Sequence, residues 1–136
     1  MSKINIVVEN DAFKDCWDEF VFAHPLGSFF HLYDWLKLVQ WKTGFALKPL
    51  VIKSNENICG IIPIFVKKYY GLTICMSPPP KVATPWMGPL LSISPGNQYK
   101  AEKQSQKILE VLQMFMVDCL KADFIRLVCV YGLEDV

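Results

Sequence analysis

LKPLVIKSNENICGIIPIFVKKYYGLTICM, the stretch from Leu47 to Met76, decides the fold of this 136-residue chain. Two strand-like segments, Leu47 to Lys53 and Ile58 to Lys67, flank the polar turn SNEN, an arrangement typical of a β-hairpin. A second turn, which contains Gly71, leads into a third strand-like segment from Leu72 to Met76. The pattern predicts an antiparallel meander of three consecutive strands.

The residues before the meander predict one strand and two helices. Lys3 to Val8 is β-branched and alternating, as expected of a short strand. Asn10 or Asp11 can cap the helix that follows, and HPLG (His24 to Gly27) ends it because a proline disfavours helix in the residue before it. A second helix is expected from about Leu32 to Thr43, with a glycine directly after it as the stop.

The residues after the meander predict a long loop, a long helix and a final strand. Six of the nine prolines fall between Ser77 and Gly96, so most of that segment is expected to be loop, with a short extended piece near Met87 to Leu91. The helix is expected from about Gln98 to Lys121. The last strand, Phe124 to Tyr131, is almost entirely apolar, which is typical of a strand covered on both faces. The core stripe of the helix is predicted to comprise Ile108, Leu112, Phe115 and Cys119.

This element order predicts an α+β fold with mixed α/β layers, in which one sheet carries helices on both faces. The length fits a single domain spanning residues 1–136. Apolar residues make up 52% of the chain, which excludes intrinsic disorder, and the mean hydropathy of +0.25 indicates more apolar surface than its own core can use. The net charge of +1 gives no signature of direct nucleic-acid binding.

No transmembrane segment, secretion signal or metal site is predicted. The longest apolar stretch, Ile58 to Val66, is about half the roughly 20 residues that a spanning helix needs, and the N-terminus lacks a signal-peptide pattern. A cytoplasmic protein is therefore expected, with buried, unpaired thiols. The five cysteines are Cys16, Cys59, Cys75, Cys119 and Cys129. With only His24 and His31 beside them, they show no ligand spacing for zinc.

The first candidate ligand-binding segment is HPLGSFFHLYDWLK, from His24 to Lys37. It leads into a helix start, whose free backbone N–H groups favour a negatively charged ligand group, and Lys37 adds a positive charge one turn further on. Blander interpretations stay open, with Lys37 as a solvated lysine and His31 as a hydrogen-bonded structural histidine. On periodicity alone, the aromatic side chains Phe29, Phe30 and Trp35 are expected in the core.

The second candidate segment is ATPWMGPLL, in which Trp86 stands beside Gly88 and Pro89. An exposed tryptophan on a proline-stiffened loop suits stacking or partner contact. A loop folded over the core, with Trp86 as its plug, explains the segment equally well. The sequence contains no nucleophile elbow and no glycine-rich phosphate loop.

These two segments resemble the N-terminal part of Fem-type proteins, the FemAB-like branch of the GNAT acyltransferase superfamily. Three motifs carry the resemblance in order: WDEFVFAHPLGSFFHLYDWLK, then GIIPIFVKK in the hairpin, then WMGPLL at the end of the proline-rich loop. The similarity extends over nearly the whole chain. The positions that match the family pattern are Trp17, Phe29, Phe30, His31, Trp35, Gly60, Pro63, Gly88 and Pro89.

The resemblance implies a GNAT-like sheet and the transfer of an acyl or aminoacyl group to an amine-bearing acceptor, in cell-wall or polysaccharide biogenesis. In the family's cell-wall enzymes, a lysine at the position of Lys37 helps hold the phosphate end of the acceptor. The loop from Trp86 to Pro89 borders the same cleft. The implied substrate-binding residues are Lys37, His31, Trp35, Trp86, Gly88 and Pro89, and no catalytic residue is implied.

Such enzymes have two GNAT-like domains, and this chain resembles only the first. The stretch where GNAT enzymes carry their acetyl-CoA motif reads PLLSISPGNQYK, so no cofactor is evident in this chain. The resemblance therefore implies an N-terminal fragment, truncated after the fifth strand and inactive alone. A missing C-terminal domain or a second copy would complete it, with acyl-CoA or an aminoacyl-tRNA as the donor.

Two other functions stay open. One is a non-catalytic interaction module that forms a homodimer through the exposed sheet edge of the last strand. The other is an acetyltransferase active on its own, which predicts that this chain binds acetyl-CoA. The surplus apolar surface is expected on the last strand, the proline-rich loop and the sheet edge, which a missing half or a second copy would cover.

Overall fold

The computed structural model describes residues 4–25, 27–55, 57–80, 88–92 and 98–127. Strands and helices follow the predicted order, with one short strand added. Two turns of 3₁₀ helix, Asp11–Phe13 and Phe29–His31, precede the first two α-helices. The elements are β1 (Ile4–Val8), α1 (Lys14–Ala23), α2 (Tyr33–Thr43), β2 (Ala46–Ser54), β3 (Asn57–Tyr69), β4 (Leu72–Ser77), β5 (Leu90–Leu91), α3 (Gln98–Asp118) and β6 (Phe124–Leu127).

The strands form one mixed sheet in the order β1-β2-β3-β4-β6. Neighbours from β1 to β4 are antiparallel, which confirms the predicted meander, and β6 joins β4 in parallel. The short extended piece expected near residue 90 is β5, which pairs with β3 at Gly60 and Ile61. Strand β2 pairs along one edge of β3. Strands β4 and β5 share the other edge, with β4 at the C-terminal end of β3 and β5 near its N-terminal end.

Two hydrophobic cores lie on opposite faces of this sheet, as its predicted layering requires. Helices α1 and α2 cover one face, where Trp17, Leu36 and Phe65 are fully buried. Helix α3 covers the other face, where Leu50, Ile62 and Leu112 are buried. The split follows the alternation of side chains along each strand, because neighbouring residues point to opposite faces. The fold is therefore α+β with helices on both faces of one sheet.

Hydrogen bonds from α1 fix the segment that leads into α2. The indole Nε1 of Trp17 donates to the backbone oxygen of His31 at 2.7 Å, and the Asp18 carboxylate accepts from the backbone N–H of Tyr33 at 2.8 Å. Helix α2 ends at Gly44, whose φ of +78° is the left-handed conformation that glycine adopts without strain. These contacts hold the start of α2 against α1.

Two sequence expectations for the C-terminal part are wrong. On α3 the buried stripe passes through Ile108, Leu112 and Met116, whereas Cys119 is exposed, because α3 ends at Asp118 and Cys119 lies in the turn that follows. Strand β6 is not covered on both faces: Phe124 is 53% exposed, and the inward residues are only half-buried. Among the described residues, nothing packs over the face of β6 on which Phe124 and Arg126 lie. The rest of the predicted strand, residues 128–131, lies outside the described residues.

The thiols divide into two groups. Cys59 and Cys75 are buried and unpaired, as predicted, and burial raises the pKa of the Cys75 thiol to about 11. Cys16 and Cys119 are also unpaired but exposed, so the expectation of burial is wrong for them; Cys129 lies outside the described residues. Across the part of the chain that the structure describes, no helix combines the length and apolarity needed to cross a membrane, and no cluster of metal-ligating side chains occurs.

Candidate ligand-binding site

A cavity of about 390 Å³ opens beside the first turns of α2, and we call it the α2 cavity. It lies where the chain leaves β1, so that the segment after β1, helix α2 and strand β2 each contribute to its wall. Three of its lining residues are of charged types, namely Glu9, Asp11 and Lys37. Its described lining residues are Glu9, Asn10, Asp11, Ala12, Tyr33, Lys37, Leu47 and Pro49.

Asp11 is the centre of the polar network in this cavity. The Tyr33 hydroxyl donates to Oδ1 of Asp11 at 2.8 Å, and Nζ of Lys37 lies 3.4 Å from the same oxygen. The Tyr33 hydrogen bond, and after it Lys37, holds the pKa of the Asp11 carboxyl below its ordinary value. Burial, and then the bond to Asp11, raises the pKa of the Tyr33 hydroxyl. Asp11 is therefore ionised and Tyr33 protonated at neutral pH.

The ion pair between Lys37 and Asp11 is open to solvent. The Lys37 side chain is 40% exposed and that of Asp11 71% exposed. Exposed pairs contribute about 0–1 kcal/mol, because water screens the charges and both side chains lose freedom on pairing. A ligand can therefore separate the two groups at small cost and bind the ammonium and the carboxylates with different parts of itself.

His31 lies in the protein interior, away from this exposed pair. Its side chain is fully buried, Nδ1 lies 3.0 Å from the Ser28 hydroxyl, and Nε2 has no hydrogen-bond partner among the described residues. Burial lowers the pKa of the imidazole to about 4. The nearby Gly88 backbone has the smaller, opposite effect of raising that pKa, although it makes no hydrogen bond to Nε2. The ring is therefore neutral at pH 7.

Trp35 belongs to an aromatic cluster at the entrance to α2. Its ring centroid lies 5.2 Å from that of Phe29 and 6.0 Å from that of Phe30. Trp35 is half-buried against the core, as periodicity predicts. Phe29 is 61% exposed, so the expectation that it lies in the core is wrong.

The structure brings only some of the implied substrate-binding residues together. Lys37 lines the α2 cavity, whereas His31, Trp35, Gly88 and Pro89 are not among its described lining residues. Gly88 and Pro89 are buried, with the backbone of Gly88 close to His31. The predicted stacking or plugging role of Trp86 concerns a residue outside the described ones.

Sequence reasoning missed Glu9, Asp11 and Tyr33 as site residues. Tyr33 stands four residues before Lys37 on the same helix, a spacing that places both side chains on one face and identifies them as neighbours. Asp11 was considered only as a helix cap. Its place in the cavity depends on how the 3₁₀ turn after β1 lies beside α2, which local sequence does not report.

Comparisons of the chain with protein-family models, with curated proteins and with solved structures find no match. The Fem-type resemblance therefore rests on the motifs in the sequence, and the argument for a ligand rests on the α2 cavity. That cavity offers an ammonium and two carboxylates above an apolar floor formed by Leu47 and Pro49.

Proposed function

We propose that this chain is the N-terminal, acceptor-side domain of a cytoplasmic, Fem-related acyl- or aminoacyltransferase of the GNAT superfamily, acting on an amine acceptor. The observation that carries the proposal is the position of Lys37. The residue implied to hold the phosphate end of the acceptor lines a cavity that also contains the carboxylates of Glu9 and Asp11. A catalytic step and the donor, acyl-CoA or an aminoacyl-tRNA, are assigned to a part of the enzyme other than this cavity.

The charges of the α2 cavity suit an acceptor with both a cationic and an anionic group. The acceptor's ammonium pairs with the carboxylates, while its phosphate replaces Asp11 as the partner of Lys37. Charge-assisted hydrogen bonds of this kind are stronger than those between neutral groups. The apolar wall formed by Leu47 and Pro49 then contacts the carbon chain between the two charged ends.

The sheet topology supports the fold that this proposal needs. An antiparallel meander followed by a helix and one parallel strand, here β4 with β6, is the strand arrangement expected of the first five strands of a GNAT sheet. His31, Trp35, Trp86, Gly88 and Pro89 remain part of the proposed acceptor side through the resemblance. Their contribution would lie at the border of the cleft rather than in the α2 cavity.

Phosphoethanolamine, which carries an amine and a phosphate, tests the α2 cavity directly. Backbone amide shifts of Asp11, Ala12 and Tyr33 measure its binding by NMR titration. Lys37→Met keeps the aliphatic stem but removes the charge, so we expect phosphoethanolamine affinity to fall about threefold to fivefold. Affinity for ethanolamine, which has no phosphate, should stay the same or rise.

Lys48→Met is the matched control. Lys48 lies on β2 between Leu47 and Pro49, and the alternation of the strand directs its side chain away from the α2 cavity. Unchanged affinity in Lys37→Met, or an equal loss in both variants, contradicts the assignment of Lys37.

Self-association through the sheet edge is the second candidate function. Among the described residues, β6 pairs only with β4, so its far side presents unpaired backbone groups to another strand. A second copy of the chain is the partner that this interaction module would recruit. Sedimentation equilibrium over increasing concentration should then show a dimer, and a monomer up to the solubility limit excludes this candidate.

A further inference from the structure

We propose that a second cavity on the same face of the sheet binds a small organic anion with an apolar body. This β4 cavity has a volume of about 540 Å³ and lies beyond the last turn of α2, over strands β3 and β4. The residues that carry the argument are Lys42, Phe45, Lys67, Tyr69, Ile74 and Met76. The inference does not rest on the proposed acceptor site.

Two lysines give the β4 cavity its positive charge. Lys42 comes from the end of α2, and Lys67 from β3, where its Nζ lies 5.4 Å from the centre of the Phe45 ring. Among the described residues that line this cavity there is no aspartate or glutamate, and neither lysine has a carboxylate partner in the described part of the chain. Both ammonium groups are therefore available to an anion.

A third cation lies one strand further along the same face. Arg126 on β6 is paired in register with Met76 on β4, and its neighbour Ile125 points into the core on the α3 side. The alternation of β6 therefore places Arg126 on the same face as the β4 cavity. Lys67 on β3 and Arg126 on β6 therefore both place a positive charge on this face of the sheet, near the β4 cavity.

The floor of the cavity is apolar. Ile74 and Met76 alternate on β4 and face the α1–α2 side, where Met76 belongs to the core and Ile74 packs against it. Phe45 closes one side, and Tyr69, which is 53% exposed, stands at the rim. A fully hydrated inorganic ion gains nothing from these groups, whereas a ligand with a ring or a short chain buries them.

The C-terminus of α2 carries a partial negative charge that opposes an anion. Two of its last carbonyls are already satisfied, because Thr43 Oγ1 donates to the oxygen of Val39 at 2.7 Å and the Gly44 N–H donates to that of Gln40 at 3.0 Å. This capping weakens the opposing field, and Lys42 lines the cavity whereas Val39 and Gln40 are not among its described lining residues. The positive groups therefore dominate.

The α2 cavity, by contrast, holds two carboxylates and one lysine. An anion without an amine is repelled there and attracted by the β4 cavity. The two sites thus select ligands of different charge on one face of the sheet.

Phenylphosphate is the probe for the β4 cavity, followed by NMR through the backbone amides of Thr43, Phe45 and Ile74. Inorganic phosphate supplies the charge alone, and benzyl alcohol the ring alone. We expect phenylphosphate to bind more tightly than either. Lys67→Met and Lys42→Met should each weaken it about fivefold, the value of one charge-assisted hydrogen bond at a partly exposed site.

Lys68→Met is the matched control, because Lys68 follows Lys67 on β3 and points to the opposite face of the sheet. Phenylphosphate affinity should be unchanged in this variant and in Lys37→Met, which separates the β4 cavity from the proposed acceptor site. Three results overturn the inference: binding no tighter than that of inorganic phosphate, an equal loss in Lys67→Met and Lys68→Met, or a loss in Lys37→Met.

Discussion

At the scale of single residues, His31 is the clearest case of burial controlling chemistry. Its backbone oxygen accepts the Trp17 indole hydrogen bond, its Nδ1 lies within hydrogen-bonding distance of Ser28, and its ring is fully buried. A protonated imidazole there would place a charge in the interior with no carboxylate beside it among the described residues. The folded chain therefore keeps His31 neutral.

This burial predicts a pH dependence of stability. Burial lowers the folded-state pKa of His31 to about 4 from 6.5 in an unfolded chain, so between these values the unfolded state binds a proton that the folded state does not. The free energy of unfolding is then unaffected above about pH 6.5 and decreases as the pH falls, by up to about 3 kcal/mol near pH 4. The folded-state pKa of Asp11 is lowered, so Asp11 changes the free energy of unfolding only when the pH falls below the ordinary pKa of its carboxyl, 3.8.

Urea unfolding between about pH 7 and about pH 5 measures the slope of the free energy of unfolding against pH. His31→Gln removes the titrating group and retains His24, so its stability should change less over the same range. The comparison uses the slopes and not the absolute stabilities, since the substitution itself destabilises the folded state. An identical slope in both proteins would show that His31 is not the cause.

The sequence predicted single residues well where one helix sets their environment. Ile108 and Leu112 follow from the 3.6-residue period of the long helix, and both are buried. Asp11 and Tyr33 were missed because their contact joins residues 22 positions apart, and only the tertiary fold brings the 3₁₀ turn after β1 next to α2.

At the scale of elements, β5 depends on a glycine in the neighbouring strand. A Cβ built on Gly60 would lie 2.7 Å from Cδ2 of Leu91 and 3.1 Å from the Leu90 carbonyl oxygen. The short strand docks because this side chain is absent, and the Ser92 N–H then donates to the Cys59 oxygen at 2.8 Å. Gly60 thus has a packing role besides its place in the family pattern.

Gly60→Ala should lower the free energy of unfolding by about 1–3 kcal/mol, because the added methyl group overpacks the contact with β5. Hydrogen exchange at the Ser92 amide should become faster, since that bond reports the docking of β5 directly. Adding Leu91→Ala removes the closest contact and should restore part of the protection. Asn57→Ala, at the exposed start of β3, is the control. Equal protection of the Ser92 amide from hydrogen exchange in wild type and in Gly60→Ala contradicts the prediction.

Local patterns predicted the meander and all three helices, but not the pairing of the remaining strands. The start of β6 is fixed by Asp123, whose N–H donates to the Thr73 oxygen and whose carboxylate accepts from the Thr73 N–H, both at 2.8 Å. These bonds join residues 50 positions apart. Such long-range contacts leave no periodic trace in the sequence.

At the scale of the whole molecule, most of the places where surplus apolar surface is predicted, residues 81–87, 93–97 and 128–131, lie outside the described residues. Among the described residues, Phe124 is the one large exposed apolar side chain on the last strand. Most of the others are on the outer sides of the helices and at the β3–β4 turn, where Trp41 is 79% and Tyr70 92% exposed. Within the described residues, the exposed apolar side chains are therefore spread over the helices and this turn.

The two cores share one sheet, so we expect the described residues to unfold as a single cooperative unit. On β2, Leu50 faces α3 while its neighbour Val51 faces α1 and α2, and both are fully buried. Loss of packing on one face exposes strands that the other face needs. The α3 side and the α1–α2 side should therefore unfold together.

Leu112→Ala tests this coupling from the face opposite Trp17. Leu112 is 1% exposed on α3, so the truncation should lower the free energy of unfolding by about 2–5 kcal/mol. The urea transition followed by tryptophan fluorescence, to which Trp17 and Trp35 on the other face contribute, should shift to lower urea by the same amount as the transition followed by far-UV circular dichroism. Leu109→Ala, on the exposed side of the same helix, should change both by little. If circular dichroism shifts while fluorescence does not, the two faces unfold separately and the sheet does not couple them.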